Sequence, residues 1–134
     1  MSDSSERVKV VYIEDNPANL ALVVRALEAT GKFRVFGAAD GEAGIELINE
    51  QLPALVLVDL DIPGLNGFEV TRMIKASDNP EVSKIPVAAL SANVMQDERQ
   101  ASLDAGCVSF IEKPFDLSSF RLQVARLVGL STDG

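Results

Sequence analysis

Leu55-Val56-Leu57-Val58-Asp59 is the stretch from which the rest of the chain can be read: four apolar residues in succession, closed by a carboxylate. A short continuous apolar run reads as a strand buried on both faces, the kind found inside a parallel sheet. An acid at its end is costly unless it is solvated, paired or bound to a metal, so Asp59 marks a polar place at the strand's carboxyl edge.

Similar short runs rich in Val, Ile and Leu recur on both sides, at Val8–Ile13, Phe33–Ala38, Ile85–Leu90 and Ser109–Ile111. Amphipathic stretches fill the gaps between them, which predicts five strand–helix units, an α/β domain with a parallel sheet. Punctuation residues set the helix limits. Asn16 caps the first helix, with Pro17 in its first turn and Gly31 just past its end. Asp40 caps the second helix, which Pro53 ends, and Asn66 caps a third carrying Val70, Met73 and Ile74 on one face. Asp116 caps the last, whose Leu117, Phe120, Val124, Leu127 and Val128 recur at helical spacing as a core-facing stripe.

Composition narrows the class further. A chain of 134 residues is the size of one domain, here 1–134 with a core of about 8–128, and it shows no internal repeat or linker. No apolar run reaches the roughly 20 residues needed to cross a bilayer. The polar start Met1-Ser2-Asp3-Ser4-Ser5-Glu6 lacks the features of a secretory signal, and the single Cys107 fits a reducing compartment, so a cytoplasmic location is expected. Twenty acidic residues against 12 basic ones, a formal charge of −8, oppose direct binding to nucleic acid. Histidine is absent, which removes the commonest general base and the commonest nitrogen ligand for metals.

In an open parallel sheet, ligands collect beyond the carboxyl ends of the strands, where strand order reverses. Glu14 and Asp15 follow the first strand, Asp59 ends the third, Ser91 follows the fourth and Lys113 the fifth. Each has an ordinary explanation by itself. Asp15 and Ser91 could cap helices, Glu14 could be a solvated loop acid and Lys113 a surface lysine. Together they say more. Three crowded carboxylates repel one another by about 4 kcal/mol per pair at 4 Å with an effective dielectric near 20, so something positive belongs among them. All-oxygen donors suit a hard divalent cation such as Mg²⁺, and the want of histidine disfavours zinc. With Lys113 as a second positive charge and the Ser91 hydroxyl as a donor, the set points to phosphoryl transfer onto Asp59.

Four segments carry a resemblance: Val11-Tyr12-Ile13-Glu14-Asp15-Asn16, Val58-Asp59-Leu60-Asp61-Ile62-Pro63-Gly64-Leu65-Asn66-Gly67, Ala89-Leu90-Ser91-Ala92 and Glu112-Lys113-Pro114-Phe115. In this order they resemble the receiver domain of two-component response regulators, over essentially Val8 to Val128. The resemblance implies a doubly wound, flavodoxin-like (βα)5 domain with strand order 2-1-3-4-5 and five helices. Asp59 would be the phosphoacceptor, fed by the phosphohistidine of a sensor histidine kinase or histidine phosphotransfer protein. Mg²⁺, or Mn²⁺ as a substitute, would be held by Asp15, Asp59 and the backbone carbonyl of Asp61, with Glu14 acting through water. Lys113 would hold a phosphoryl oxygen, and a cis peptide would join Lys113 to Pro114. Gly67 and Pro63 would shape the loop beyond Asp59. Ser91 and Phe110 would form the switch, while the side chains of Asp61 and Asn93 would tune the lifetime of the acyl phosphate. The fourth helix, last strand and last helix would form the output face, for a downstream protein or a second copy, with no direct nucleic-acid or membrane partner.

Two other readings stay open at this level. Asp59-Leu60-Asp61 also matches the nucleophile and acid of haloacid-dehalogenase-like phosphatases, although Glu14 and Asp15 then come too early in the chain. A receiver-like interaction module that needs no phosphate is the other.

Overall fold

The computed structural model describes residues 7–62, 64–92, 96–113 and 116–130, with Gln96 described by its backbone alone. Pro63, Asn93 and Pro114 lie outside these, and with them the shaping of the loop by Pro63, the tuning by Asn93 and the cis peptide at Pro114.

In chain order the elements are β1 (Val8–Ile13), α1 (Pro17–Glu28), β2 (Phe33–Ala38), α2 (Gly41–Gln51), β3 (Leu55–Asp59), α3 (Gly67–Lys75), α4 (Pro80–Ser83), β4 (Val87–Ser91), α5 (Gln96–Ala105), β5 (Ser109–Glu112) and α6 (Leu117–Leu127). The strands form one sheet of order β2-β1-β3-β4-β5. All four neighbouring pairs run parallel, with Val10 opposite Leu55 and Asp59 opposite Leu90.

Because successive strand residues face opposite sides, the buried runs feed two cores. Val11, Ile13, Val56 and Val58 join Ile48, Val70 and Ile74 of α2 and α3 on one face. Val10, Tyr12, Leu55 and Leu57 join Val23 and Leu27 of α1 and Phe120 and Val124 of α6 on the other. Every residue of β3 is buried, so each aliphatic side chain there contributes about 1.5–3 kcal/mol on leaving water. The helices begin where capping chemistry puts them: Asn16, Asp40, Asn66 and Asp116 each accept a backbone N–H of the first turn.

Four details depart from the sequence expectation, the smallest being that the fifth strand runs one residue further than Ile111, to Glu112. There is an additional single-turn helix, α4, started by Asn79 accepting from the Glu81 N–H and by Pro80, so the described residues hold six helical segments rather than five. The fourth strand begins at Val87, not Ile85, and takes in Ser91 as its last residue. Pro86 has no N–H to give the ladder, and the Ile85 carbonyl is taken at 2.6 Å by the Lys75 ammonium. Met73 is 47% exposed, and Thr71 takes its expected place inside α3, where its hydroxyl bonds the Gly67 carbonyl at 2.8 Å.

Candidate functional site

β1 is flanked by β2 on one side and β3 on the other, so chain order reverses between the carboxyl ends of β1 and β3. Glu14, Asp15 and Asp59 meet there, each offering a carboxylate oxygen within 4.8 Å of the others. Asp59 is almost wholly buried, and both its oxygens have partners. Its Oδ1 accepts the Asp61 N–H at 2.9 Å and its Oδ2 faces the Lys113 Nζ at 2.8 Å.

Glu14 is not a solvated loop acid. It is 2% exposed; its Oε1 accepts from the Tyr12 hydroxyl at 2.8 Å and from Lys113 at 3.3 Å, and its Oε2 from the Asn16 N–H at 3.2 Å. Asp15 does not cap α1, a task Asn16 performs, and it stays exposed. Lys113 is anchored by its own N–H to the Ser91 carbonyl at 2.9 Å, which binds the end of β5 to β4 and aims the ammonium at the two buried acids. Partial burial alone would lower its pKa. The hydrogen bond and charge of Asp59, joined by Glu14, outweigh that and hold the ammonium above lysine's usual value.

One ammonium among three carboxylates leaves negative charge in excess. The donors are all oxygen, two are fixed by hydrogen bonds and the third, Asp15, is open to water. This is a donor set that fits a hard divalent ion entering from solvent.

Ser91 is fully buried as the last residue of β4, and its hydroxyl donates to Glu98 Oε1 of α5 at 2.5 Å. Phe110 is partly buried against the α2–α3 core, and the Arg99 guanidinium lies 4.8 Å from its ring centroid. Arg99 also bridges to Glu112 at 2.5 Å. Asp61 gives its N–H to Asp59, while its side chain stays exposed.

The structure thus gathers Glu14, Asp15, Asp59 and Lys113, and it adds two residues that the sequence did not single out. Tyr12 had a signal: it is the chain's single tyrosine, set in an aliphatic strand two residues before Glu14 and so on the same face. Glu98 had none, because its approach to Ser91 depends on where α5 lies. Beside the acids, a cavity of about 380 Å³ is lined by Tyr12, Glu14, Asn19, Leu22, Val23, Ala92 and Lys113.

Residues 10–125 match the sequence profile of the response regulator receiver domain. Across 96% of its length the chain is 32% identical to the sensor protein GacS of Pseudomonas syringae pv. syringae, of which it spans only 14%. It is also 32% identical to the polar-differentiation response regulator DivK of Brucella anthropi, over 83% of this chain and 88% of that one. A solved structure, the receiver domain of sensor histidine kinase PA1611 from Pseudomonas aeruginosa PAO1, holds a magnesium ion in its active-site cleft. It is 31% identical, with a TM-score of 0.82, and the match covers 92% of this chain and 98% of that one. The acidic cluster bridged by Lys113 matches the aspartate-phosphorylation and metal-binding pocket of such domains, which sets the dehalogenase-like reading aside. With fold, pocket and profile in agreement, the chain belongs to the response regulator receiver domain family, phosphoacceptor modules of two-component signalling rather than turnover enzymes.

Proposed function

We propose that Asp59 takes a phosphoryl group from the phosphohistidine of a sensor histidine kinase or a histidine phosphotransfer protein. The observation that carries this is the placing of Asp59: buried, paired to Lys113 at 2.8 Å and within reach of Glu14 and Asp15. The Asp59 carboxylate attacks phosphorus, the P–N bond breaks, and the donor imidazole keeps the electron pair and takes up a proton. Later attack by water on phosphorus releases inorganic phosphate and restores the carboxylate.

Asp15, Asp59 and the Asp61 backbone carbonyl would hold Mg²⁺ directly, with Glu14 acting through water and Mn²⁺ able to substitute. The ion neutralises charge on the transferred group. Lys113 turns from Asp59 to a phosphoryl oxygen, and the Ser91 hydroxyl donates to another. Phe110 then moves into the space that Ser91 leaves, changing the face of α5, β5 and α6, which correspond to the family's fourth helix, last strand and last helix. That face meets a downstream protein or a second copy of the chain. The side chains of Asp61 and Asn93 would tune the lifetime of the acyl phosphate. Residues 1–134 act as one unit with a core of about 8–128, in the cytoplasm; among the described residues no helix is long and apolar enough to cross a membrane.

Incubation with acetyl phosphate and Mg²⁺, followed by intact mass measurement, tests the reading. One phosphoryl group should be gained, lost on treatment with hydroxylamine and absent in Asp59→Asn or after chelation. No adduct on a chain shown to bind Mg²⁺ would favour a phosphate-independent interaction module instead.

A further inference from the structure

Consecutive residues of α5 hold both groups of the proposed switch. Glu98 accepts the Ser91 hydroxyl at 2.5 Å. Arg99 lies over the Phe110 ring at 4.8 Å and pairs with Glu112 of β5. Ser91 lies opposite Glu112 in the sheet register, so the three contacts form one patch joining the first turns of α5 to the ends of β4 and β5.

A serine hydroxyl has a single hydrogen to donate. A phosphoryl oxygen on Asp59 and the Glu98 carboxylate are both anionic acceptors, and charge-assisted bonds of this kind are the stronger ones. They cannot both take the same hydrogen. We propose that Glu98 is a positioning residue that competes with the phosphoryl group for the Ser91 hydroxyl and so sets the threshold of the switch. Resting on the assignment of Ser91 given above, this means that phosphorylation draws Ser91 off Glu98. The loss frees the start of α5, and Arg99 with it, to release Phe110. A chain lacking the Glu98 carboxylate has no such bond to break, and it reaches the switched state more readily.

The test is a double-mutant cycle read by beryllofluoride, an acyl-phosphate mimic, titrated at saturating Mg²⁺ and followed by amide shifts. Wild type, Glu98→Ala, Ser91→Ala and the double variant are compared, with Glu98→Gln as a neutral acceptor of the same shape should the alanine disturb α5. Loss of a charge-assisted competitor should tighten beryllofluoride binding by roughly tenfold in Glu98→Ala. Glu98→Gln should fall between it and wild type. Ser91→Ala should bind more weakly than wild type, and adding Glu98→Ala to it should change nothing further. Equal affinity of Glu98→Ala and wild type would overturn the proposal. So would a gain that persists without Ser91, since it would then be an effect of charge alone. Failure of the wild type itself to bind beryllofluoride while binding Mg²⁺ would remove the phosphoacceptor reading, and this proposal with it.

Discussion

Tyr12 gives a buried hydroxyl to a buried acid, and with the Asn16 N–H and the Lys113 ammonium it holds the Glu14 carboxylate in place beside Asp59. Burial, then the hydrogen bond and charge of Glu14, push its phenol far above the ordinary range, so it remains a protonated donor. Tyr12→Phe should lower stability by about 1 kcal/mol, seen as a lower urea midpoint at unchanged slope, and weaken Mg²⁺ binding several-fold in a calorimetric titration. Asp59→Asn sets two effects against each other. Losing one partner of a buried pair costs up to about 3–5 kcal/mol, but Lys113 keeps Glu14 and is itself partly exposed. Relief of acid crowding returns about 4 kcal/mol per close pair at most. Stability without Mg²⁺ should therefore stay within about 1 kcal/mol of wild type by urea unfolding, while phosphorylation is lost; a several-kcal/mol drop would show that the Lys113 pair dominates. The four charged groups were legible because each ends or follows a strand, and the sheet alone brings strand ends together. Glu98 was not, since its contact crosses from a helix whose placement is a tertiary matter.

Elements were legible to the extent that local chemistry fixes them. Asn16, Asp40, Asn66 and Asp116 all cap as their residue types demand, whereas α4, at four residues, is too short to carry a period. Asp116 is held below its ordinary 3.8 by the Ser119 hydroxyl and the N–H groups of Ser119 and Ser118. A depressed folded-state pKa gives stability that is present above the unfolded value and lost as pH falls through the folded one. Asp116→Ala should thus lower the melting temperature near neutrality, and the difference from wild type should shrink as the pH drops below 3.8. Gly67 has a steric duty between β3 and α3. A Cβ there would lie 2.9 Å from the Leu60 Cα and 3.1 Å from the Asp59 carbonyl oxygen, and backbone cannot swing aside as a side chain can. Gly67→Ala should cost about 1–3 kcal/mol by urea unfolding and weaken Mg²⁺ binding, because the shift it forces passes straight to Asp59.

At the scale of the molecule, excess charge at one edge of the sheet makes stability depend on the ion that relieves it. Binding to the folded state alone stabilises by RT ln(1 + [L]/Kd), so the melting temperature should climb with MgCl₂ beyond what NaCl of equal ionic strength achieves. Chelation should reverse the gain, and a variant carrying Asp15→Asn with Asp59→Asn should lose most of it. The all-parallel sheet has another consequence, one for the nascent chain. β1 is made first, yet its second neighbour, β3, begins only at Leu55, so Val10–Ile13 have β2 on one edge and a bare edge on the other until the ribosome has delivered that far. No hairpin can shield it, because every pairing awaits a crossover. A chain halted once β2 has emerged but before β3 has would leave an unfinished sheet whose first strand offers its backbone to any other chain in the same condition.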